Sequence, residues 1–277
     1  MTVADALKLL TKEIIVPQHA SKWLFFMAPA LSLIIAVLSW AVIPFGPGLV
    51  LVDMDLGVLY TLALSSVGVY GVLLTGWAGN NAYSFLGGIR TTSSMVSYEL
   101  VLGTAILTVM LVGSSLRYAT LVETQAPLWY AVPLLPVAAL FALGACFELN
   151  RAPGDLAEAE SELVAGFFTE AGSSVFVSSF LAEYTNIVLM SSLLATLFMG
   201  GYALPELVSL AGVVSVASVA LGLKTCVGCF AIVWVRAVLP RLTFISLLSA
   251  CWTYLLPLAI ACLLVYPSML VAFDATC

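Results

Sequence analysis

Residues 175–199 read VFVSSFLAEYTNIVLMSSLLATLFM, twenty-five positions with one formal charge, Glu183. A helix crossing the hydrocarbon of a bilayer needs about 20 mostly apolar residues. This run meets that length, and no window of the chain shows the two-residue alternation of a barrel strand. The segment therefore reads as a transmembrane helix, with an acid about eight residues inside it.

The same pattern recurs outward from this segment. Uncharged runs centre on 25–43, 56–76, 100–116 and 126–147 before it, and on 207–235 (broken by Lys224) and 245–270 after it. The chain of 277 residues is 62% hydrophobic and 9% charged, with a mean hydropathy of +1.14. Soluble domains carry about 25% charged residues, so there is too little polar surface here for one. The expectation is an all-α integral membrane protein with about seven transmembrane helices. It forms a single membrane domain over 1–277, with 1–23 as an interfacial segment. Pro44, Pro47, Pro127, Pro205 and Pro240 fall at span ends, where proline is tolerated best.

Charge placement adds an orientation. Lys8, Lys12, Lys22, Arg90, Arg151, Arg236 and Arg241 share one side, and Arg117 alone occupies the other. By the positive-inside rule the first side faces the cytoplasm or the mitochondrial matrix. The net charge of −6 with no basic run excludes a nucleic-acid surface, and lipid is the expected surrounding. In 4–15, ADALKLLTKEII, apolar Leu7, Leu10 and Ile14 share a helical face, which fits an interfacial helix or a frayed terminal one. The first 22 residues show neither a signal peptide's apolar core nor the arginines of a transit peptide. Cys226-Val-Gly-Cys229 has no second pair and the single His19 is remote, so the six cysteines read as small apolar helix residues and no metal site is expected.

Just before the opening segment lies FELNRAPGDLAEAESELVAGFFTEAG (147–172). It concentrates Glu148, Asp155, Glu158, Glu160, Glu162 and Glu170 around one cation, Arg151. A solvated acidic helix start would look the same by composition. The acids inside spans are more telling, because an ionisable group at membrane depth usually marks a pathway. Glu99 opens the third span, Glu148 closes the fourth, and Glu183 sits deepest, all in the half of the membrane next to the acidic loop. Lys224 lies twelve residues before Arg236, about 18 Å deeper along a helix. Carboxyl groups crowded in low dielectric hold protons near neutrality and can pass them on. The alternative for each is a structural acid, protonated or held by a cation.

The block ELNRAPGDLAEAESELVAGF followed by LAEY resembles the family of NADH–ubiquinone oxidoreductase chain 1, the quinone-chamber membrane subunit of respiratory complex I. GWAGNNAYSFLGGIR (76–90), MVSYEL (95–100) and IVWVRAVLPRL (232–242) match further stretches of that family. The resemblance implies a subunit of a proton-translocating NADH:ubiquinone reductase with no complete catalytic site in this chain alone. Glu99, Glu148, Asp155, Glu158, Glu160, Glu162, Glu183 and Lys224 would line a quinone channel and proton relay. Arg90, Arg151, Arg236 and Arg241 would structure loops, with Arg151 pairing with the loop carboxylates. Ubiquinone would be the substrate, with FMN and iron–sulfur clusters in partner subunits. Partners would be the soluble iron–sulfur subunits of the quinone site and antiporter-like membrane subunits. The implied location is the mitochondrial inner membrane, mitochondrially encoded, N-terminus on the matrix side.

Departures accompany the match. The family begins with a further span and a charged loop, which a separate small chain is expected to supply. Ala171 stands where the family tends to have Tyr, Gly154 where it has Phe, and Thr243-Phe244-Ile245-Ser246 where a charged stretch is usual. Rival readings are the same subunit in a membrane-bound hydrogenase or a plastid quinone reductase, a stand-alone proton-coupled transporter, and a structural anchor. The transporter would commonly show inverted repeats, and none is visible. Tags at the N-terminus and within the Ala119–Gln125 loop should show opposite protease accessibility in sealed vesicles. Equal accessibility would sink the orientation.

Overall fold

The computed structural model describes residues 8–9, 11–151, 154, 166–203, 214–240 and 242–272. Long apolar runs become helices because a spanning segment must bond every backbone N–H and C=O internally. The helices are α1 (Lys22–Ser39, extended by a 3₁₀ turn Trp40–Val42), α2 (Gly57–Ala78), α3 (Ala82–Gly113), the short α4 (Tyr118–Thr124) and α5 (Leu135–Glu148). A 3₁₀ turn at Gly166–Phe168 precedes α6 (Ser173–Phe198), α7 (Val214–Val238), α8 (Phe244–Ala250) and α9 (Leu256–Ala272). A π turn, Cys251–Leu255, joins α8 to α9 into one helical rod. Six stretches are long and apolar enough to cross a membrane, and α5 is a seventh, shorter apolar helix. Among the described residues there is no strand beyond an isolated bridge between Gly46 and Leu49.

Two spans differ from expectation for local reasons. The run 126–147 becomes helical only at Leu135. Pro127 and Pro133 hold the preceding segment in turns, and Pro136 sits in the first helical turn, where proline is tolerated. Its 14 residues extend about 21 Å, short of the roughly 30 Å hydrocarbon core. The third span begins much earlier than 100. Asn81 caps α3 by accepting from the Tyr83 amide at 3.2 Å, and the helix runs 32 residues to a left-handed Ser114. Arg90, expected in a loop, is thus a helical residue. Of the segment 4–15, residues 8–9 and 11–15 are described: 8, 9 and 11 are helical, and 13–15 have left the helix.

Helices α1, α2, α3, α5 and α6 pack in a closed ring, each against the next and α6 back against α1. Helix α7 packs on the outside of α6, and the α8–α9 rod on the outside of α3. The outer face of α7 leaves Leu223, Val227, Phe230 and Trp234 exposed, as befits a surface in hydrocarbon. Cys226 is exposed on α7, while Cys229 lies 3.0 Å from the Ser191 hydroxyl, so the CxxC pair is divided between two environments.

Small residues let the ring close, as is usual between membrane helices. A Cβ on Gly76 would meet the Ser84 carbonyl oxygen at 2.9 Å and Gly88 Cα at 3.1 Å. One on Gly87 would stand 2.9 Å from the backbone of Gly166 and Phe167, pushing away the 3₁₀ turn. By contrast, one on Gly103 would meet nothing within 4 Å. Gly87→Ala is therefore expected to lower stability by about 1–3 kcal/mol, whereas Gly103→Ala should be neutral or slightly stabilising through helix propensity. Thermal unfolding of the two purified variants, read by circular dichroism, checks the difference. Matched melting temperatures would refute it.

Candidate functional site

The ring encloses a cavity of about 130 Å³. Its α2 wall runs from Thr61 to Thr75, about 21 Å of helix, so the cavity is elongated along the bundle. The volume accommodates several water molecules, provided polar partners are available. They are. Ser32, Ser39, Thr61, Ser65 and Thr75 line the α1 and α2 sides, and Glu99, Glu148 and Glu183 contribute the acids.

Three different helices bring these acids together. Glu99 on α3 accepts a hydrogen bond from the Ser65 hydroxyl at 3.1 Å. It also borders a second groove on the outer side, between α2 and α3, with Leu62 and Gly103. Glu148 ends α5 and is buried, and its Oε2 has no hydrogen-bond partner. Glu183 on α6 lies 2.8 Å from the Arg151 guanidinium, whose side chain is only 7% exposed.

The position of Arg151 follows from a sharp turn after α5. Asn150 takes φ +49°, a left-handed conformation that asparagine tolerates better than most residues. The Arg151 amide then donates back to the Cys146 carbonyl at 3.2 Å. This fold-back sets the guanidinium 5.4 Å over the Tyr184 ring. Tyr184 ends an aromatic run on one face of α6, Phe176, Phe180 and Tyr184, which begins against Phe168. Among the described residues the acid that meets Arg151 is thus a membrane carboxylate. Asp155, Glu158, Glu160 and Glu162, the loop acids expected around it, lie outside the described residues, as does Arg241.

Of the remaining expected residues, Glu170 accepts from the Asn81 side chain at 2.9 Å and ties the loop's end to the cap of α3. Arg90 sits 5.5 Å over the Phe244 ring, linking α3 to α8. Arg236 is exposed in the last turn of α7, where a cation complements the helix dipole.

Lys224 does not line the cavity. Its ammonium donates to the carbonyls of Met199, Gly201 and Ala203 at 2.7, 2.8 and 2.8 Å, and stands 4.9 Å over the Trp129 ring. All three of its donors close off the carbonyl end of α6. Buried Gln125 completes the same junction. It donates to the carbonyls of Leu121 and Thr196 and accepts from the Gly200 amide at 2.9 Å. The sequence pattern missed Gln125, Trp129 and Ser65, because none carries a charge and each meets its partner far along the chain. Tyr184 had a signal, its place beside Glu183 in AEY.

Lys224→Met would strip three carbonyls of their donor without touching the cavity wall. We expect a loss of about 2 kcal/mol of stability with turnover per assembled complex close to the parent's. Thermal inactivation measured beside specific activity tests both halves, and a specific-activity loss exceeding tenfold would return Lys224 to the pathway.

Residues 1–267 match a family model described as NADH dehydrogenase. The chain is 51% identical to NADH-ubiquinone oxidoreductase chain 1 of Mycosarcoma maydis, over 98% of this chain and 82% of that one. It is 46% identical to the protein of that name from Candida albicans, over 99% and 82%. It is 45% identical to a subunit of NADH-quinone oxidoreductase from the bacterium Rhodospirillum centenum, over 98% and 80%. Matches of that extent, carried by an all-α membrane chain whose motif acids meet in one cavity, show that the chain belongs to the family of NADH–ubiquinone oxidoreductase chain 1.

Proposed function

We propose that this chain is a membrane subunit of a proton-translocating NADH:ubiquinone oxidoreductase, and that its cavity carries protons set in motion by quinone reduction. The observation that carries this reading is the convergence of Glu99, Glu148 and Glu183, from three helices, on one cavity whose mostly apolar lining also carries hydroxyls, inside a membrane bundle. Carboxyl groups placed so, with room for water between them, relay protons by short hops. Glu99 and Glu148 meet no cation among the described residues, so either can take up a proton without breaking an ion pair there.

The acidic block 148–170 would stand at the mouth of this relay, with Asp155, Glu158, Glu160 and Glu162 as its first acceptors. Ubiquinone is the substrate in this reading, and FMN and iron–sulfur clusters belong to partner chains. Soluble iron–sulfur subunits would dock at the acid end of the bundle, and antiporter-like membrane subunits or lipid would cover the outer faces of α7 and α9. The fungal relatives support a place in the mitochondrial inner membrane, with the basic side toward the matrix. Family membership favours this over a stand-alone carrier.

Glu148→Gln keeps the shape and removes the titrating group. Quinone reduction and proton translocation per assembled complex should fall together, by at least tenfold. NADH oxidation by an artificial acceptor that bypasses quinone should stay near the parent's rate. An assembled Gln variant that pumps at full rate with quinone would overturn the relay.

A further inference from the structure

We infer that Arg151 is the fixed counter-ion of Glu183, so that Glu183 balances charge in the cavity while Glu99 and Glu148 exchange protons. This rests on the relay reading above and divides its three acids into two roles.

The division comes from what each acid touches. Arg151 Nη2 lies 2.8 Å from Glu183 Oε1, and the guanidinium and carboxylate side chains are 7% and 21% exposed. Among the described residues Glu99 has the Ser65 hydroxyl, and Glu148 Oε2 has no partner. The α1 and α2 walls bring hydroxyls and no ionisable group, so no second cation competes for Glu183 among the described cavity residues. Arginine keeps its charge at any pH a protein meets. Protonating Glu183 would therefore leave the guanidinium, in a buried site, with no carboxylate partner among the described residues, which is a costly arrangement. A relay carboxyl must take up and release its proton in every cycle, and the clamped acid is the one least able to do so.

The arginine is also held in place. Its backbone is folded back onto Cys146, and its guanidinium lies over the Tyr184 ring. Neither Nε nor Nη2 makes a well-aligned hydrogen bond, so the contact with Glu183 is one of charge more than of hydrogen-bond geometry. Lysine at position 151 would preserve the charge, and glutamine would not.

The test is a double-variant cycle in the intact complex, each variant normalised to NADH oxidation by an artificial acceptor. Arg151→Gln and Glu183→Gln alone should each lose at least tenfold in quinone reductase, since each strands one charge of the pair. Combined, they remove both charges, and activity should recover at least tenfold above either single variant with the proton-to-electron ratio of the parent. Arg151→Lys should hold activity within about threefold of the parent, and it decides the question if the double variant fails to assemble. A double variant that assembles but is as inactive as Glu183→Gln, or an inactive assembled Arg151→Lys, overturns the counter-ion role. Adding Glu148→Gln to the double variant separates the two readings. Loss of pumping there supports the relay, and retained pumping removes the relay while leaving the counter-ion result standing.

Discussion

An ionisable side chain taken into a bilayer must find a partner or water, because hydrocarbon offers neither. Glu99, Glu148, Glu183 and Arg151 set that requirement here, and the ring of α1, α2, α3, α5 and α6 meets it. Five helices with small residues at their contacts close around a space that single packed pairs could not provide. Hydroxyls on α1 and α2 and the three acids place polar groups in an otherwise mostly apolar lining, and further leucine, valine and aromatic side chains face outward. The ring holds the acids, and α7 and the α8–α9 rod brace it from outside.

Much of this is legible in the sequence because hydropathy over 20 residues reports a physical requirement of the bilayer itself. The span count, the all-α class and the depth of Glu183 follow from that signal alone. It says nothing about where a helix begins on the watery side, so Asn81 and the long α3 escaped it. A capping asparagine acts over two residues, below the resolution of a hydropathy window. The short α5 was misjudged for the opposite reason. Its leading residues are apolar enough, but Pro127 and Pro133 remove backbone donors that a helix there would need.

The candidate site was legible as a set of acids and illegible as a set of pairs. Charge in a span flags Glu99, Glu148, Glu183 and Lys224 alike, although the bundle gives them different work. Lys224 is drawn by helix rotation toward the end of α6 farthest from the acidic loop, where three carbonyls use up its donors. Arg151 is carried the other way by the left-handed Asn150, out of the loop and into the membrane, where it meets Glu183. A sequence places Arg151 among loop acids because they are its neighbours along the chain. The fold-back adds a partner that is 32 positions away.

The two ends of the bundle consequently differ in how completely their polar groups are satisfied. At the end near Lys224, Gln125 uses both its amide groups, and the Thr61 and Tyr118 hydroxyls bond each other at 2.7 Å. Arg117 pairs with Asp53 there as well. At the acid end the accounting is incomplete. Among the described residues, the buried side-chain atoms without a hydrogen-bond partner belong to Glu148, Asn150 and Arg151 alone. Unsatisfied buried groups weaken a fold and persist where something else requires them. Buried acceptors left open in this way can take hydrogen bonds from water. The two ends of the bundle thus differ in the hydrogen bonds they leave open, and the proposed relay would draw on that asymmetry.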